Sequence, residues 1–129
     1  MNNDAKLLQA AKLAAGNAYA PYSHFKVGCA VLSANGNFYS GCNVENISYP
    51  CGTCAEAGAI AAMVNGGDTK IAEILIFADS KELITPCGAC RQRIAEFTAK
   101  DARILLADSS GIKQILTLGE ILPHTFAGF

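Results

Sequence analysis

Charge is scarce in this chain. Asp, Glu, Lys and Arg supply only 16% of its 129 residues, and the formal net charge is −1. No run of Lys or Arg occurs anywhere, so nothing matches the charge density of a phosphate backbone, and no nucleic-acid partner is expected. Long apolar runs are also missing, and no segment reaches the roughly 20 residues needed to span a bilayer, so no membrane association is expected. Asp4 and Lys6 interrupt the Ala/Leu pattern at the N-terminus, which lacks the charged start, apolar core and cleavage site of an export signal. The expectation is a cytoplasmic protein. Histidine is nearly absent: His24 and His124 are the two in the chain, and each lies beside an aromatic landmark rather than at a ligand spacing. Repeats, low-complexity tracts and linkers are absent as well, and the length suits a single domain over residues 1–129. Hydrophobic residues make up 51%. With so little charge to cover them, a monomer would expose apolar surface, and self-association is the outlet.

The chain does have cysteine: Cys29, Cys42, Cys51, Cys54, Cys87 and Cys90. Without an export signal, tight C-x-x-C spacings read as metal ligands or free thiols rather than disulfides. Cys29 and Cys42 sit in apolar, strand-like stretches and read as buried filler. The informative groups are Cys54-Ala55-Glu56 and Pro86-Cys87-Gly88-Ala89-Cys90. Three thiolates leave the fourth corner of a tetrahedral zinc open for water, and a carboxylate two residues from the first thiolate can move that water's proton. Spacing alone also allows a rival, a closed structural zinc held by Cys51, Cys54, Cys87 and Cys90 that catalyses nothing. A redox C-x-x-C is a third reading.

Local patterns place these motifs. Residues 4–18 carry apolar positions at helical spacing, with Asn3 or Asp4 as cap. Residues 26–33 and 37–44 favour strands, joined by Asn35-Gly36 as a tight hairpin. A second helix begins at Cys54 and stops at Gly66-Gly67. A near-continuous apolar run over 71–77 predicts a strand covered on both faces. A third helix follows Pro86-Cys87-Gly88 to about residue 99, then a strand over 102–107, a further short strand and a helical turn before residue 122. Both cysteine groups then fall at helix N-termini, where the helix dipole and free N–H groups favour thiolate. This order predicts a three-layer α-β-α domain with a mixed sheet of about five strands.

Phe25-Lys26-Val27-Gly28, Asn43-Val44-Glu45-Asn46, Ser48-Tyr49, the two cysteine motifs with Arg91-Gln92, and Leu122-Pro123 followed by Phe126 together resemble the small zinc-dependent cytidine deaminases, from about residue 20 to residue 126. The resemblance implies Zn²⁺ on Cys54, Cys87 and Cys90, with Glu56 as proton shuttle in the hydrolytic deamination of cytidine or deoxycytidine. It implies Phe25, Asn43, Glu45, Ala55 and Phe126 as substrate contacts, with Asn43 and Glu45 on the ribose hydroxyls. It also implies a homotetramer in which Phe126 reaches a neighbour's site, and a place in pyrimidine salvage. The residues alone leave blander roles open: a core Phe25, a loop-capping Asn43, a solvated Glu45 and a Phe126 that closes the core. One position departs from the family pattern. Arg usually follows the catalytic Glu, and here that position is Ala57. Either water activation is weakened, or another cation such as Arg91 takes over, or the substrate is a different aminated base or nucleoside analogue.

Overall fold

The structure, a computed structural model, describes residues 2–128. Its elements run α1 (Asp4–Gly16), β1 (Val27–Ser33), β2 (Phe38–Cys42), a 3-10 turn (Tyr49–Cys51), α2 (Ala55–Asn65), β3 (Ile71–Ala78), α3 (Gly88–Glu96), β4 (Arg103–Asp108), β5 (Gly111–Thr117) and α4 (Leu118–Ile121). The strands form one mixed sheet in the order β2-β1-β3-β4-β5. β3 and β4 are parallel and every other neighbouring pair is antiparallel. A parallel pair needs a crossover, and α3 supplies it.

Strand alternation sorts the core into two layers. Ala30, Leu32, Leu75, Phe77, Leu105 and Ala107 face α1 through Leu7, Ala11 and Ala15. Their neighbours Cys29, Val31, Ile74, Ile76, Ile104 and Leu106 face α2, α3 and α4 through Ala59, Met63, Ile94 and Leu118. The three-layer α-β-α arrangement with five strands is therefore as expected from the sequence. Cys29 is fully buried in this core, whereas Cys42, on the edge strand, is only half-buried.

Two glycines set how close the outer layers come. A Cβ on Gly28 would stand 2.7 Å from the Ala15 amide nitrogen of α1 and closer still to the Ala11 carbonyl. On β2, a Cβ on Gly41 would meet α2 backbone at Gly58 C (2.6 Å) and Ala55 O (2.8 Å) and press harder on the Ala59 nitrogen. Both helices ride directly on strand backbone where any side chain would hold them off.

The hairpin is wider than a two-residue turn. Leu32 pairs with Phe38, the Ser33 amide donates to Asn37 O at 2.8 Å, and three residues (34–36) make the loop. Gly36 takes the left-handed conformation (φ 87°) while Asn35 does not. The three-residue loop with glycine in its left-handed position is the alternative connection for such a pair. Asp68, just past the end of α2, latches this loop. It is buried and accepts from Asn35 Nδ2 (2.6 Å), Asn37 Nδ2 (3.0 Å) and the Tyr39 hydroxyl (2.9 Å). Those donors, Asn35 first, hold its carboxyl well below the usual carboxylate range. No helix among the described residues is long and apolar enough to cross a membrane.

Candidate metal centre and active site

α2 and α3 both begin at the same place. Cys54 is the N-cap of α2 and Cys87 the N-cap of α3, both in extended conformation, while Cys90 lies in the first turn of α3. The three sulfurs lie within 4.8 Å of one another. Tetrahedral zinc with Zn–S bonds of about 2.3 Å sets its sulfurs about 3.8 Å apart, so the donor set fits zinc with only small side-chain rotations. Cys51 lies in the 3-10 turn, exposed, its thiol 3.6 Å from Ser48 Oγ. Among the described residues it is not part of the cluster, so the geometry gives a three-thiol site rather than a closed four-thiol one.

Burial and mutual repulsion govern the protons here. Burial pushes the Cys54 thiol up, partly offset by Cys90, and the charges of Cys87 and Glu56 push it further. Cys90, fully buried, is raised strongly by desolvation and then by the charges of Glu56 and Cys54. Cys87 is the exception. Desolvation raises it, but the Cys90 amide and the Cys90 and Cys54 thiols together bring it below the ordinary value. Helix α3 thus stabilises one thiolate through its own first turn. Glu56, in the first turn of α2, is only 5% exposed, and burial lifts its carboxyl above the usual range, against a hydrogen bond from its own backbone and the charge of Arg93. A carboxyl so poised can both take up and give back a proton.

A cavity of about 600 Å³ opens onto these groups, walled by Cys54, Ala55, Glu56, Cys87, Asn43 and Glu45 and rimmed by Tyr22 and Tyr49. That is within the range of small-molecule sites. Asn43 Nδ2 donates to Phe25 O and its Oδ1 accepts from the Val27 amide, both at 2.8 Å. Glu45 accepts from the amides of Tyr22 (3.0 Å) and Ser23 (3.1 Å) and from the Ser23 hydroxyl; these bonds, the hydroxyl first, hold it below the usual carboxylate range. Both side chains therefore brace the 22–27 segment while facing the cavity. Each keeps capacity to spare: the amide has one N–H and one lone pair left, and Glu45 Oε2 has a single partner. Phe25 and Phe126 are not part of this wall. Phe126 lies outside it, 63% exposed, and its backbone exchanges two hydrogen bonds of 3.1 Å with the Gln92 side chain of α3.

Two cations of α3 divide differently from the expectation. Arg91 binds Pro86 O (2.8 Å), Ile121 O (2.9 Å) and Thr85 Oγ1 (3.3 Å) and fastens the loop before α3 to the C-terminal turn. Arg93 is the residue that meets a thiol, its Nη1 3.4 Å from Cys90 Sγ. Its position three residues after Cys90 puts both on one helix face, a spacing visible in the sequence.

Comparison with known proteins agrees with this geometry. The family model for the cytidine and deoxycytidylate deaminase zinc-binding region matches residues 1–106. The cytidine deaminase of Sporosarcina psychrophila is 38% identical over 122 residues, covering 95% of this chain and 90% of that protein. That of Halalkalibacterium halodurans is 39% identical over 120 residues, covering 93% and 91%. Among solved structures, a cytidine deaminase from Burkholderia pseudomallei superposes with a TM-score of 0.90 at 38% identity, covering 98% of this chain and 100% of that one. The cytidine deaminase of Mycobacterium tuberculosis does so with 0.84 at 32% identity, covering 98% and 99%. Agreement of sequence and fold over nearly the whole length makes this chain a member of the cytidine and deoxycytidylate deaminase family.

Proposed function

We infer that this chain is a zinc-dependent hydrolase that converts cytidine and deoxycytidine, with water, to uridine and deoxyuridine plus ammonia. The observation that carries the reading is the convergence of three thiols, from the starts of two helices, with a buried Glu56 in the wall of a nucleoside-sized cavity. Bound by Cys54, Cys87 and Cys90, zinc supplies an activated water at neutral pH. Glu56 takes the water's proton and returns protons to N3 of the pyrimidine and to the departing amine at C4. Its shielding from solvent keeps those protons from being lost to bulk water.

Asn43 and Glu45 position the ribose through the hydrogen-bonding capacity they retain, and Ala55, at the cavity wall, lies against the base. Glu45's negative charge disfavours a phosphorylated ribose, so free nucleosides are the substrates. Phe25 packs behind the nucleoside, where Asn43 grips its carbonyl. The tyrosines at the rim, with Tyr19, Ile47 and Tyr49 exposed by 56%, 78% and 76%, suit burial against further copies, and we assign the active assembly as a homotetramer in which Phe126 stacks over a neighbour's pyrimidine. The working place of such an enzyme is the cytoplasm, in pyrimidine salvage.

Ammonia release from cytidine, deoxycytidine, cytosine, modified cytidines, adenosine and guanine tests the reading. Turnover of the two cytidines above all others is expected. Preference for another amine would reassign the substrate, and inactivity of the zinc-loaded protein on all of them would overturn the reading. Light scattering tests the assembly, and a fully active monomer at every concentration would refute it.

A further inference from the structure

We propose that Arg93 is the positioning residue that offsets the negative charge of the metal site, acting through Cys90 from outside the substrate cavity. The inference rests on the metal-site reading above and concerns this chain's own side chains. The +2 of zinc and the −3 of three thiolates leave −1, and an ionised Glu56 beside them makes −2. Negative charges this close repel one another, and a metal this electron-rich polarises a bound water less well, unless neighbouring groups draw charge away. The ends of α2 and α3 contribute partial charges, but a full positive charge has to come from a side chain.

The structure offers one. Arg93 Nη1 is 3.4 Å from the sulfur of Cys90, a residue with no exposed surface. Arg93 forms no ion pair with any carboxylate among the described residues, where the ion pairs belong to Arg103 with Asp4 and Glu73. Its charge is therefore not spent elsewhere. The other nearby guanidinium, Arg91, has each of its three nitrogens bonded to the loop and C-terminal oxygens described above. Ala57, in the first turn of α2, offers no charge. Arg93 is not in the cavity wall: its contact with the site is the Cys90 sulfur, and its charge reaches Glu56 at longer range.

The competing role is ordinary: a basic residue in the last turn of α3 favours the helix dipole whatever the metal does. The two roles separate in Arg93→Gln and Arg93→Lys proteins. Three quantities are read: zinc retention against a chelator of known affinity, the sulfur-to-cobalt charge-transfer band of the cobalt-substituted proteins, and the Tm of the metal-free proteins. The expected result for Arg93→Gln is zinc affinity weaker by about 10–100-fold and a charge-transfer band at lower energy, because the sulfur has lost a donor. Its metal-free Tm stays near that of the wild type, and Arg93→Lys recovers part of the affinity. Arg93→Met, which keeps the aliphatic stem, takes the place of the glutamine variant if that one fails to fold. Wild-type affinity and band position would overturn the inference, as would a lowered metal-free Tm with an unmoved band. A wild-type chain that takes up no zinc would instead overturn the metal-site reading itself, and this inference with it.

Discussion

Gly41→Ala should damage the metal site without touching it. The new methyl would stand 2.6 Å from Gly58 C and 2.8 Å from Ala55 O, where ordinary contact begins at 3.4 Å. All the opposing atoms are helix backbone and none can rotate away. Helix α2 must therefore retreat by roughly 1 Å, a strain typical of overpacked cores at about 1–3 kcal/mol. For a domain of this size that corresponds to a Tm lower by roughly 4–12 °C. The functional cost is larger, because α2 carries Cys54 and Glu56 while Cys87 and Cys90 stay on α3. A displacement of about 1 Å between reacting groups costs on the order of 100-fold, so kcat/KM for cytidine should fall by about that factor and zinc content below one per chain. Gly16→Ala is the control: a Cβ there meets nothing within 4 Å, and alanine at the end of α1 should be neutral or stabilising by up to about 1 kcal/mol. Thermal unfolding, metal analysis and steady-state kinetics of the two variants decide the matter. A Gly41→Ala protein with wild-type Tm and wild-type turnover would refute the claim that helix contact sets the ligand geometry.

Glu56→Gln should keep zinc and fold but lower kcat by roughly 10²–10⁴-fold, since the amide matches the shape yet cannot carry a proton; near-normal ammonia release would remove Glu56 from the chemistry. Cys51→Ser should retain one zinc per chain, whereas serine at Cys54, Cys87 or Cys90 should lower metal content and the stability of the zinc-loaded protein; zinc loss at Cys51 would revive the four-thiol site. Asp68 has a folded pKa below its unfolded one, so its contribution is complete above about pH 4 and is lost as pH falls toward the folded value. Asp68→Asn should therefore flatten the decline of Tm below about pH 4, and an unchanged decline would show that the latch does not govern acid stability.

The sequence was most legible where residue type and period coincide. The apolar run over 71–77 becomes β3, extended by one residue to Ala78, because a run this short, rich in Ile and preceded by Gly66-Gly67, favours a strand over a buried helix. The three ligand candidates converge because Pro86-Cys87-Gly88 and Cys54-Ala55-Glu56 each stand at a helix start, which the chemistry of the residues already signals. Elements that depend on distant partners were less legible. Helix α3 stops at Glu96 rather than near residue 99: the Ile94 carbonyl accepts from the Phe97 amide and the Thr98 hydroxyl, and the Phe97 carbonyl beyond it accepts from the Ile71 amide at the start of β3, a bond no local pattern contains. The hairpin loop gained a residue because Asp68, more than thirty positions away, binds Asn35 and Asn37 from outside. Arg91 stands out over Arg93 in the sequence because it adjoins the ligand candidate Cys90, yet adjacent residues on a helix face different directions and residues three apart share a side.

The N-cap positions of α2 and α3 are held by Cys54 and Cys87, and neither side chain makes a capping hydrogen bond. Serine there would cap the helix, a difference of about 1 kcal/mol at each end. With metal removed, the Cys54→Ser and Cys87→Ser chains should thus be at least as stable as the natural one, although both are poorer when zinc is present. Two helix starts thus hold a residue that folding alone would not favour, and the metal-free chain sits below the stability its own backbone would allow. A newly made chain that has not yet met zinc is accordingly at its most vulnerable to unfolding, and metal supply sets how much of it survives.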